Sequence, residues 1–245
     1  MKLTLNDAKI FKDCFKSIGR IIDEAIIECD GEGLRLRALD RSHISFVELE
    51  LKAGIFDEYT CEIPEKISVD TMELNNVLKR CKNSDVLTLE TNEGLTIKLE
   101  GESIRTFKLR LISLDYETPT PPDLNLPIEL DVPCDFIREA LTDIDLYSEK
   151  IRFSVDENYL ILSGGGEYGD VTDKFIHGVK IEEVVVSVFN IEKIKDMVKD
   201  IKFNKYCNIS VGDDKPLLLK IYLNEDNHVN GFIKFMLAPR LENEE

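Results

Sequence analysis

A repeat with an offset of 126 residues constrains the fold of this chain more than any other feature of its sequence. The apolar residues of segment 10–18 have the spacing of one helical face, and segment 136–144 has the same spacing. The strand-like segments 27–36 and 153–162 match at this offset too, and a second helical stripe matches at an offset of 120. Matches in the same order along the chain predict two copies of one module. The aligned helical pairs are Ile10 with Phe136, Phe11 with Ile137, Cys14 with Ala140, Phe15 with Leu141, Ile18 with Ile144, Leu74 with Ile194, Val77 with Met197, and Leu78 with Val198.

Each predicted copy contains two helices set among short strands. Helical periodicity predicts helices over 6–20, 71–82, 134–146 and 190–202. The segments between them alternate or run apolar, as strands do, and the pair Asp30-Gly31 predicts a hairpin turn. This order of elements predicts an α+β fold.

A proline-rich segment separates the two copies. Four prolines fall within nine residues, at 119, 121, 122 and 127. Proline removes a backbone donor and stiffens the chain in an extended form, so this segment is the best candidate for a linker. We therefore predict an N-terminal module over 1–113, a connector over 114–127 and a C-terminal module over 128–245.

The charge of the chain is strongly negative but unevenly distributed. The formal net charge is −17, which by itself disfavours nucleic acid as a partner. The four predicted helical segments, however, carry +2, +2, −3 and +1 in chain order, so the other 192 residues carry −19. A surface lined by the helices can therefore be locally basic, with segment 134–146 as the exception.

Catalytic, metal-binding and membrane functions find little support in the motifs. Gly164, Gly166 and Gly169 match a dinucleotide fingerprint, but a strand-like segment follows where a helix is required, which favours a hairpin loop. Asp40, Ser42 and His43 are too close in sequence to align as a catalytic triad. Six scattered cysteines and three distant histidines lack zinc-site spacing. We expect no enzyme, no metal, no cofactor, and no membrane or signal segment.

Three motifs resemble the archaeal and eukaryotic sliding clamps, the proliferating cell nuclear antigen family. They are LRALDRSHISFVEL at 36–49, KPLLLKIY at 215–222 and the ending KFMLAPRLENEE. The resemblance covers essentially the whole chain. It implies a DNA clamp fold with two tandem pseudo-symmetric modules, each with an outer antiparallel sheet and two inner helices. Subunits of such clamps close head to tail into a trimeric ring. Here this would pair strand 104–112 of one subunit with the strand around 174–181 of the next.

The resemblance also implies function. A closed ring around duplex DNA tethers a DNA polymerase and other replication and repair factors, which confers processivity without base recognition or catalysis. Basic side chains of the helices would face the DNA phosphates. Carried over to this chain, the pore candidates are Lys9, Lys12, Lys16, Lys79, Arg80, Lys82, Arg138, Lys193, Lys195 and Lys199.

A second implied site is a groove for short peptides of polymerase, clamp loader, ligase and nucleases. In the family, such peptides insert a glutamine and apolar anchors beside the 36–49 loop, the connector and the C-terminal segment. Met236 stands where the family often has an aromatic residue. The corresponding residues here are Leu39, His43, Ile44, Phe46, Pro122, Pro216, Met236, Ala238 and Pro239.

Three alternatives remain open from the sequence. The chain is a subunit of a heterotrimeric or checkpoint-type clamp, an unrelated enzyme of tandem α+β modules, or an acidic protein that mimics DNA. The absence of a basic localisation run favours a prokaryotic, archaeal cytoplasm over a nucleus. For the leading interpretation, we expect the chain to associate with itself as a homotrimer.

Overall fold

The computed structural model describes residues 1–122, 124–224 and 230–240. The acidic end of the C-terminal motif, 241–245, lies outside these residues. The helices are α1 (Lys9–Ile21), α2 (Thr71–Leu78), α3 (Cys134–Ile144) and α4 (Ile191–Val198). The strands are β1 (Lys2–Leu5), β2 (Glu24–Asp30), β3 (Gly33–Leu39), β4 (Ser45–Lys52), β5 (Glu58–Thr60), β6 (Glu65–Asp70), β7 (Val86–Thr91), β8 (Leu95–Glu100), β9 (Ile104–Leu109), β10 (Ile128–Pro133), β11 (Lys150–Val155), β12 (Tyr159–Gly166), β13 (Gly169–Ile176), β14 (Val185–Asn190), β15 (Tyr206–Val211), β16 (Leu217–Tyr222) and β17 (Gly231–Leu237).

The chain forms two compact units. Unit 1 comprises Met1–Pro121 and Tyr222–Ile233, and unit 2 comprises Pro122–Ile221 and Lys234–Glu245. The division after Pro121 falls inside the predicted connector. The assignment of 222–233 to unit 1 was not predicted, because a hydrophobic pattern does not show which strand a segment will lie against. The predicted module boundaries therefore stay a prediction.

Unit 1 contains two antiparallel arrangements of strands. One is a five-stranded sheet in the order β5-β1-β7-β8-β9. The other contains β4, β3, β2 and β6 in that order. The residues of β17 in unit 1 lie beside β4, where the Lys52 N–H donates to the Asn230 carbonyl over 3.1 Å. Gly231 allows this close approach, since a methyl group there would lie 1.9 Å from the Glu50 carbonyl oxygen.

Unit 2 repeats the strand order of unit 1. β13, β12, β11 and β14 form a four-stranded sheet, and β10, β15, β16 and β17 are neighbours in that order. Element by element, β10 and α3 correspond to β1 and α1, β11–β13 to β2–β4, β14 and α4 to β6 and α2, and β15–β17 to β7–β9. The repeat seen in the sequence is thus a repeat of topology.

The aligned apolar positions form the core of each unit. In α1, Phe11, Cys14, Phe15 and Ile18 are all at most 4% exposed, and their counterparts in α3 are at most 1% exposed. The stripes of α2 and α4 are likewise buried. Burial of such side chains is the main favourable contribution to folding.

The second helix of each unit begins with the same kind of cap. The Asp70 carboxylate accepts a hydrogen bond from the Glu73 N–H over 2.9 Å. At the equivalent position 120 residues later, the Asn190 side chain accepts from the Lys193 N–H over 3.2 Å. Each cap satisfies one of the backbone donors that a helix start leaves without a partner.

Both predicted hairpin turns are present. Asp30 pairs with Gly33, which leaves a two-residue turn, and Gly33 has a φ of 138° that favours glycine. Gly166 pairs with Gly169, and strand β13 follows directly. A helix does not follow this glycine cluster, so the structure excludes the dinucleotide fingerprint, as the sequence had indicated.

The close contact of α1 with α2 provides a test of the packing in unit 1. Asn75 of α2 donates from Nδ2 to the Phe15 carbonyl over 2.8 Å, and a methyl group on Gly19 would lie 2.2 Å from that nitrogen. We expect Gly19→Ala to lower the free energy of unfolding by about 1–3 kcal/mol, despite the helix preference for alanine. Gly31→Ala is the control, because nothing lies within 4 Å of that position. Urea unfolding measures both, and equal stabilities would contradict the packing described.

Candidate functional site

The predicted basic residues of α1 lie on its polar face. Lys9 and Lys16 are exposed, on the side opposite to the buried stripe. Lys12 is half-buried, and its Nζ donates to the Cys81 carbonyl over 2.9 Å. Two of the three lysines are therefore directed to solvent, and Lys12 contacts the chain just beyond α2.

A second basic group follows the end of α2. Lys79, Arg80 and Lys82 are all exposed, and Lys82 lies 3.6 Å from a Glu102 carboxylate oxygen. The carbonyl groups at a helix C-terminus favour neighbouring cations. Unit 1 thus carries two groups of exposed positive charge on its helices.

The helices of unit 2 are more nearly neutralised. Arg138 forms an ion pair with Asp135 one turn earlier, and donates to the Ile201 carbonyl over 3.0 Å. Lys195 forms an ion pair with Asp145. Lys193 is half-buried and Lys199 is exposed. Two of the four acidic residues in the predicted segment 134–146, Asp135 and Asp145, are thus paired with cations.

The loop between β3 and β4 is held by one buried carboxylate. Asp40 is 5% exposed; its Oδ1 accepts from the N–H groups of Ile44 and Ser45 over 2.9 Å each. Its Oδ2 accepts from the Ser42 hydroxyl over 2.6 Å. The serine therefore donates directly to the carboxylate, with no histidine between them, so these side chains do not form a triad. The loop directs Leu39 and Ile44 outward, at 41% and 40% exposure.

A cleft of about 340 Å³ lies beside this loop in unit 1. Tyr116 lines one side of the cleft, and its hydroxyl donates to the Glu24 carbonyl over 3.1 Å. Partial burial raises the pKa of Tyr116, so the phenol stays protonated and remains a donor near neutral pH. The residues that line the cleft are Ile22, Asp23, Glu24, Leu39, Asp40, Arg41, His43, Tyr116, Glu117 and Pro119.

Polar contacts anchor the segment that contains Tyr116 to the strands of unit 1. The Ile112 N–H donates to the Ser68 carbonyl over 3.1 Å. The Thr118 hydroxyl donates to Glu28 over 3.0 Å. Lys66, 2.8 Å from the same carboxylate, lowers the pKa of Glu28 and keeps it charged. Segment 112–119 is therefore an extended chain laid along β2 and β6.

The predicted peptide-groove residues differ in accessibility. In unit 1, Leu39, Ile44 and His43 are exposed, and His43 has a φ of 59°. Phe46 is 3% exposed and belongs to the core. In unit 2, Met236 is 6% exposed and also belongs to the core, whereas Pro122 is exposed and Pro216, Ala238 and Pro239 are half-buried. Phe46 and Met236 are thus too buried to contact a peptide directly, and the assignment of the group as a whole stays a prediction.

Sequence reasoning missed the wall of the unit 1 cleft. Ile22 and Glu24 lie at the α1–β2 junction, and Tyr116 lies in the connector. The one signal for them was an aromatic residue in an otherwise polar, proline-rich stretch, which a periodicity search does not select. Bringing them together requires segment 112–119 to fold back on β2.

Two of the buried cysteines, Cys14 and Cys29, are held in a form that disfavours reaction. Burial raises the pKa of Cys14 and raises that of Cys29 to about 12, so both remain thiols. In the described part of the chain, no three His, Cys, Asp or Glu side chains are placed to hold a metal ion. None of the described helices is long and apolar enough to cross a membrane.

Comparisons with known proteins agree with these features. A family model described as proliferating cell nuclear antigen, N-terminal domain, matches residues 1–118. The DNA polymerase sliding clamp of Methanothermobacter thermautotrophicus is 47% identical over 245 residues, which are 100% of this chain and 99% of that protein. The DNA polymerase sliding clamp of Pyrococcus horikoshii is 31% identical over 249 residues, with 98% of each chain covered.

A solved structure extends the agreement to the fold. The crystal structure of PCNA from Thermococcus kodakaraensis has a TM-score of 0.88 and 25% identity, and covers 98% of this chain and 99% of that chain. The tandem α+β topology is thus the DNA clamp fold. Full-length identity of 47% and the repeated topology together show that this chain belongs to the DNA polymerase sliding clamps, the archaeal-type proliferating cell nuclear antigen family.

Proposed function

We propose that this sliding clamp assembles as a homotrimeric ring around duplex DNA and tethers DNA polymerase and other factors through short peptides. Membership of the family gives the general function: a clamp that confers processivity on a polymerase. The observation that carries the assembly is the pair of strands β9 and β13, each of which ends a sheet of its unit.

These two edges correspond to strands that are neighbours within unit 1. There, the first residues of β17 lie beside β4. In the repeat, β9 is the counterpart of β17, and β13 is the counterpart of β4. The counterparts of this neighbouring pair, β9 in unit 1 and β13 in unit 2, each lie at the edge of a sheet. A second molecule can complete the pairing, and a head-to-tail contact that closes on itself generates a ring.

The side chains of the two edges support association. Ile104 at the start of β9 is 66% exposed, and Ile176 at the end of β13 is 72% exposed. Burial and the nearby Asp143 carboxylate raise the pKa of Asp173 on β13, and one of its oxygens is buried without a hydrogen-bond partner. A cation of a second copy would relieve this unfavourable burial. The strands end at Leu109 and Ile176, short of the segments 104–112 and 174–181 first predicted to pair.

A charged substitution at the exposed edge strand β13 tests whether the chain assembles into a trimeric ring. Light scattering of the purified chain is expected to give about 84 kDa, three times 28.0 kDa. Ile176→Asp is expected to give 28.0 kDa with an unchanged fold, since the new charge is exposed in a monomer but buried in the ring. Ile63→Asp is the control, because Ile63 is 79% exposed in the loop between β5 and β6 and belongs to neither edge strand. A monomeric parent protein at all concentrations would contradict the homotrimer.

The helices supply a sequence-independent contact with DNA. Lys9, Lys16, Lys79, Arg80 and Lys199 are exposed, whereas Lys12, Arg138 and Lys195 are half-buried. Lys16 is engaged within the chain, as are the three half-buried residues. Exposed lysine and arginine side chains bind phosphates without reading bases. The negative remainder of the surface would keep DNA away from the outside. We infer that unit 1 contributes more of the DNA contact than unit 2.

A matched pair of arginine substitutions tests this difference. Fluorescence anisotropy with a short labelled duplex, over a range of salt, gives the slope of log affinity against log salt. Arg80→Ala is expected to weaken binding and lower the slope by roughly 0.9 for each phosphate that is no longer neutralised. Arg138→Ala should change the slope little, because Arg138 already pairs with Asp135. Equal effects of the two changes would contradict the assignment of unit 1 as the main DNA-binding unit.

The loop held by Asp40 supports a role in peptide binding. Its exposed apolar side chain Leu39 lines a cleft of a size that fits an anchor side chain, and Ile44 is 40% exposed in the same loop. Apolar anchors in such a site would supply most of the affinity for polymerase, clamp loader, ligase or nuclease peptides. No catalytic step is part of this proposal, since the polar groups of the loop are engaged with one another.

Truncation of one anchor tests the peptide site. With a labelled peptide that carries a glutamine followed by aliphatic and aromatic residues, Ile44→Ala is expected to weaken binding by about 5- to 30-fold. Val184→Ala, at a residue 60% exposed in unit 2, is the control and should change binding less than twofold. Unchanged binding by Ile44→Ala would remove the loop from the site.

A further inference from the structure

Unit 2 carries a cleft at the place that corresponds to the cleft beside Tyr116 in unit 1. Its volume is about 470 Å³. At the 126-residue offset, four of its residues align with residues that line or adjoin the first cleft. The aligned pairs are Ser148 with Ile22, Glu149 with Asp23, Lys150 with Glu24, and Gly165 with Leu39.

The two clefts carry opposite charge. Among the described residues, the lining of the cleft in unit 1 contains four acids, Asp23, Glu24, Asp40 and Glu117, and one cation, Arg41. The described lining of the cleft in unit 2 contains three exposed cations, two of which are also engaged within the chain, and one acid, Glu149. These cations are Lys150, Arg152 and Arg240. The two corresponding clefts therefore differ in the sign of the charge that lines them.

Strand geometry brings the cationic side chains onto one face. Lys150 and Arg152 are two residues apart on β11, so their side chains point to the same side of the sheet. Arg152 pairs with Ser163 on one neighbouring strand and with Val188 on the other. The Arg240 N–H donates to the Val188 carbonyl over 2.7 Å, which brings the third cation to the same place.

This face of the sheet is turned away from the helices of unit 2. A methyl group on Gly164 would lie 2.4 Å from Ile144 of α3, so the residues on either side of Gly164 face the opposite way. Ile151 and Phe153, which alternate with Lys150 and Arg152, are fully buried in the core. The cleft therefore does not share a surface with the basic residues of the helices.

In unit 1, an extended polypeptide covers the corresponding face. Segment 112–119 begins where the Ile112 N–H donates to the Ser68 carbonyl, the counterpart of the bond between Arg240 and Val188. Tyr116 and Thr118 then bind the Glu24 carbonyl and the Glu28 carboxylate. This face of the sheet therefore binds an extended chain through hydrogen bonds to backbone carbonyls and side chains of its strands.

We propose that the cleft of unit 2 binds an acidic peptide segment of a partner protein, whose carboxylates contact Lys150, Arg152 and Arg240. Arginine and carboxylate groups form strong, often bidentate, hydrogen-bonded pairs. The chain as a whole carries −17, so an acidic peptide is repelled in general and binds only where positive charge is concentrated. The inference rests on the proposed function only in that the partner is a protein held by the clamp.

A charged peptide pair tests the proposal on the full chain. The probe is a fluorescein-labelled ten-residue peptide of alternating Glu and Gly, and its partner has Lys in place of Glu. Anisotropy at low salt is expected to show binding of the Glu peptide alone. Arg152→Glu should weaken that binding by at least about tenfold. Lys2→Glu changes the net charge equally on an exposed residue of β1 and should change binding less than twofold.

Three results would overturn the proposal. Equal weakening by Lys2→Glu would mean that only the overall charge matters. Binding of the Lys peptide as tight as that of the Glu peptide would exclude a cationic site. Tighter, Arg152-dependent binding of a ten-nucleotide oligothymidylate would assign the cleft to nucleic acid.

Two features keep the test separate from folding and from the proposed function. Lys150→Glu and Arg240→Glu, both at exposed positions, serve as further variants if Arg152→Glu fails to fold. Each of these substitutions should also weaken binding of the Glu peptide. The assay contains no duplex DNA, so its failure leaves the ring and its DNA contacts standing, and a monomeric parent protein would leave the peptide result valid.

Discussion

Burial of one apolar stripe on each helix is the interaction on which the other features depend. In both units the stripe packs into the core, and in unit 1 lysine and arginine occupy the polar face of α1 and the residues just beyond α2. An acidic protein can in this way keep a local basic surface, because the helices segregate charge that composition averages away. A clamp needs this separation: positive charge where it meets phosphates, and negative charge elsewhere.

Sheet edges connect the repeat to assembly. Strand β4 meets the start of β17 within unit 1. Their counterparts in the repeat, β13 and β9, each lie at the edge of a sheet. Exposed edges are unfavourable for an isolated protein and invite pairing with another chain. In the proposed ring, a second molecule would complete at these edges the pairing that β4 and the start of β17 make inside one molecule.

Much of this was accessible from the sequence. The four helices lie within a few residues of the predicted segments, because their stripes repeat at helical spacing. The hairpin at Asp30 followed from turn chemistry, and the clamp motifs identified the family. The pairing of Lys195 with Asp145, the burial of Phe46 and Met236, and the cleft beside Tyr116 were not accessible. Each depends on which side chains meet across distant segments.

The sequence by itself determined the duplication, the class of fold and the segregation of charge, because these follow from local periodicity and from the order of residues. Only the tertiary structure decided which lysines and arginines are exposed and which face of each sheet carries a cleft. It also decided the opposite charge of the two clefts, where Glu24 and Lys150 hold equivalent positions. The physical reason is that burial and ion pairing join residues far apart in the chain. A repeat places equivalent residues at equivalent positions, but it does not determine the charge of their side chains.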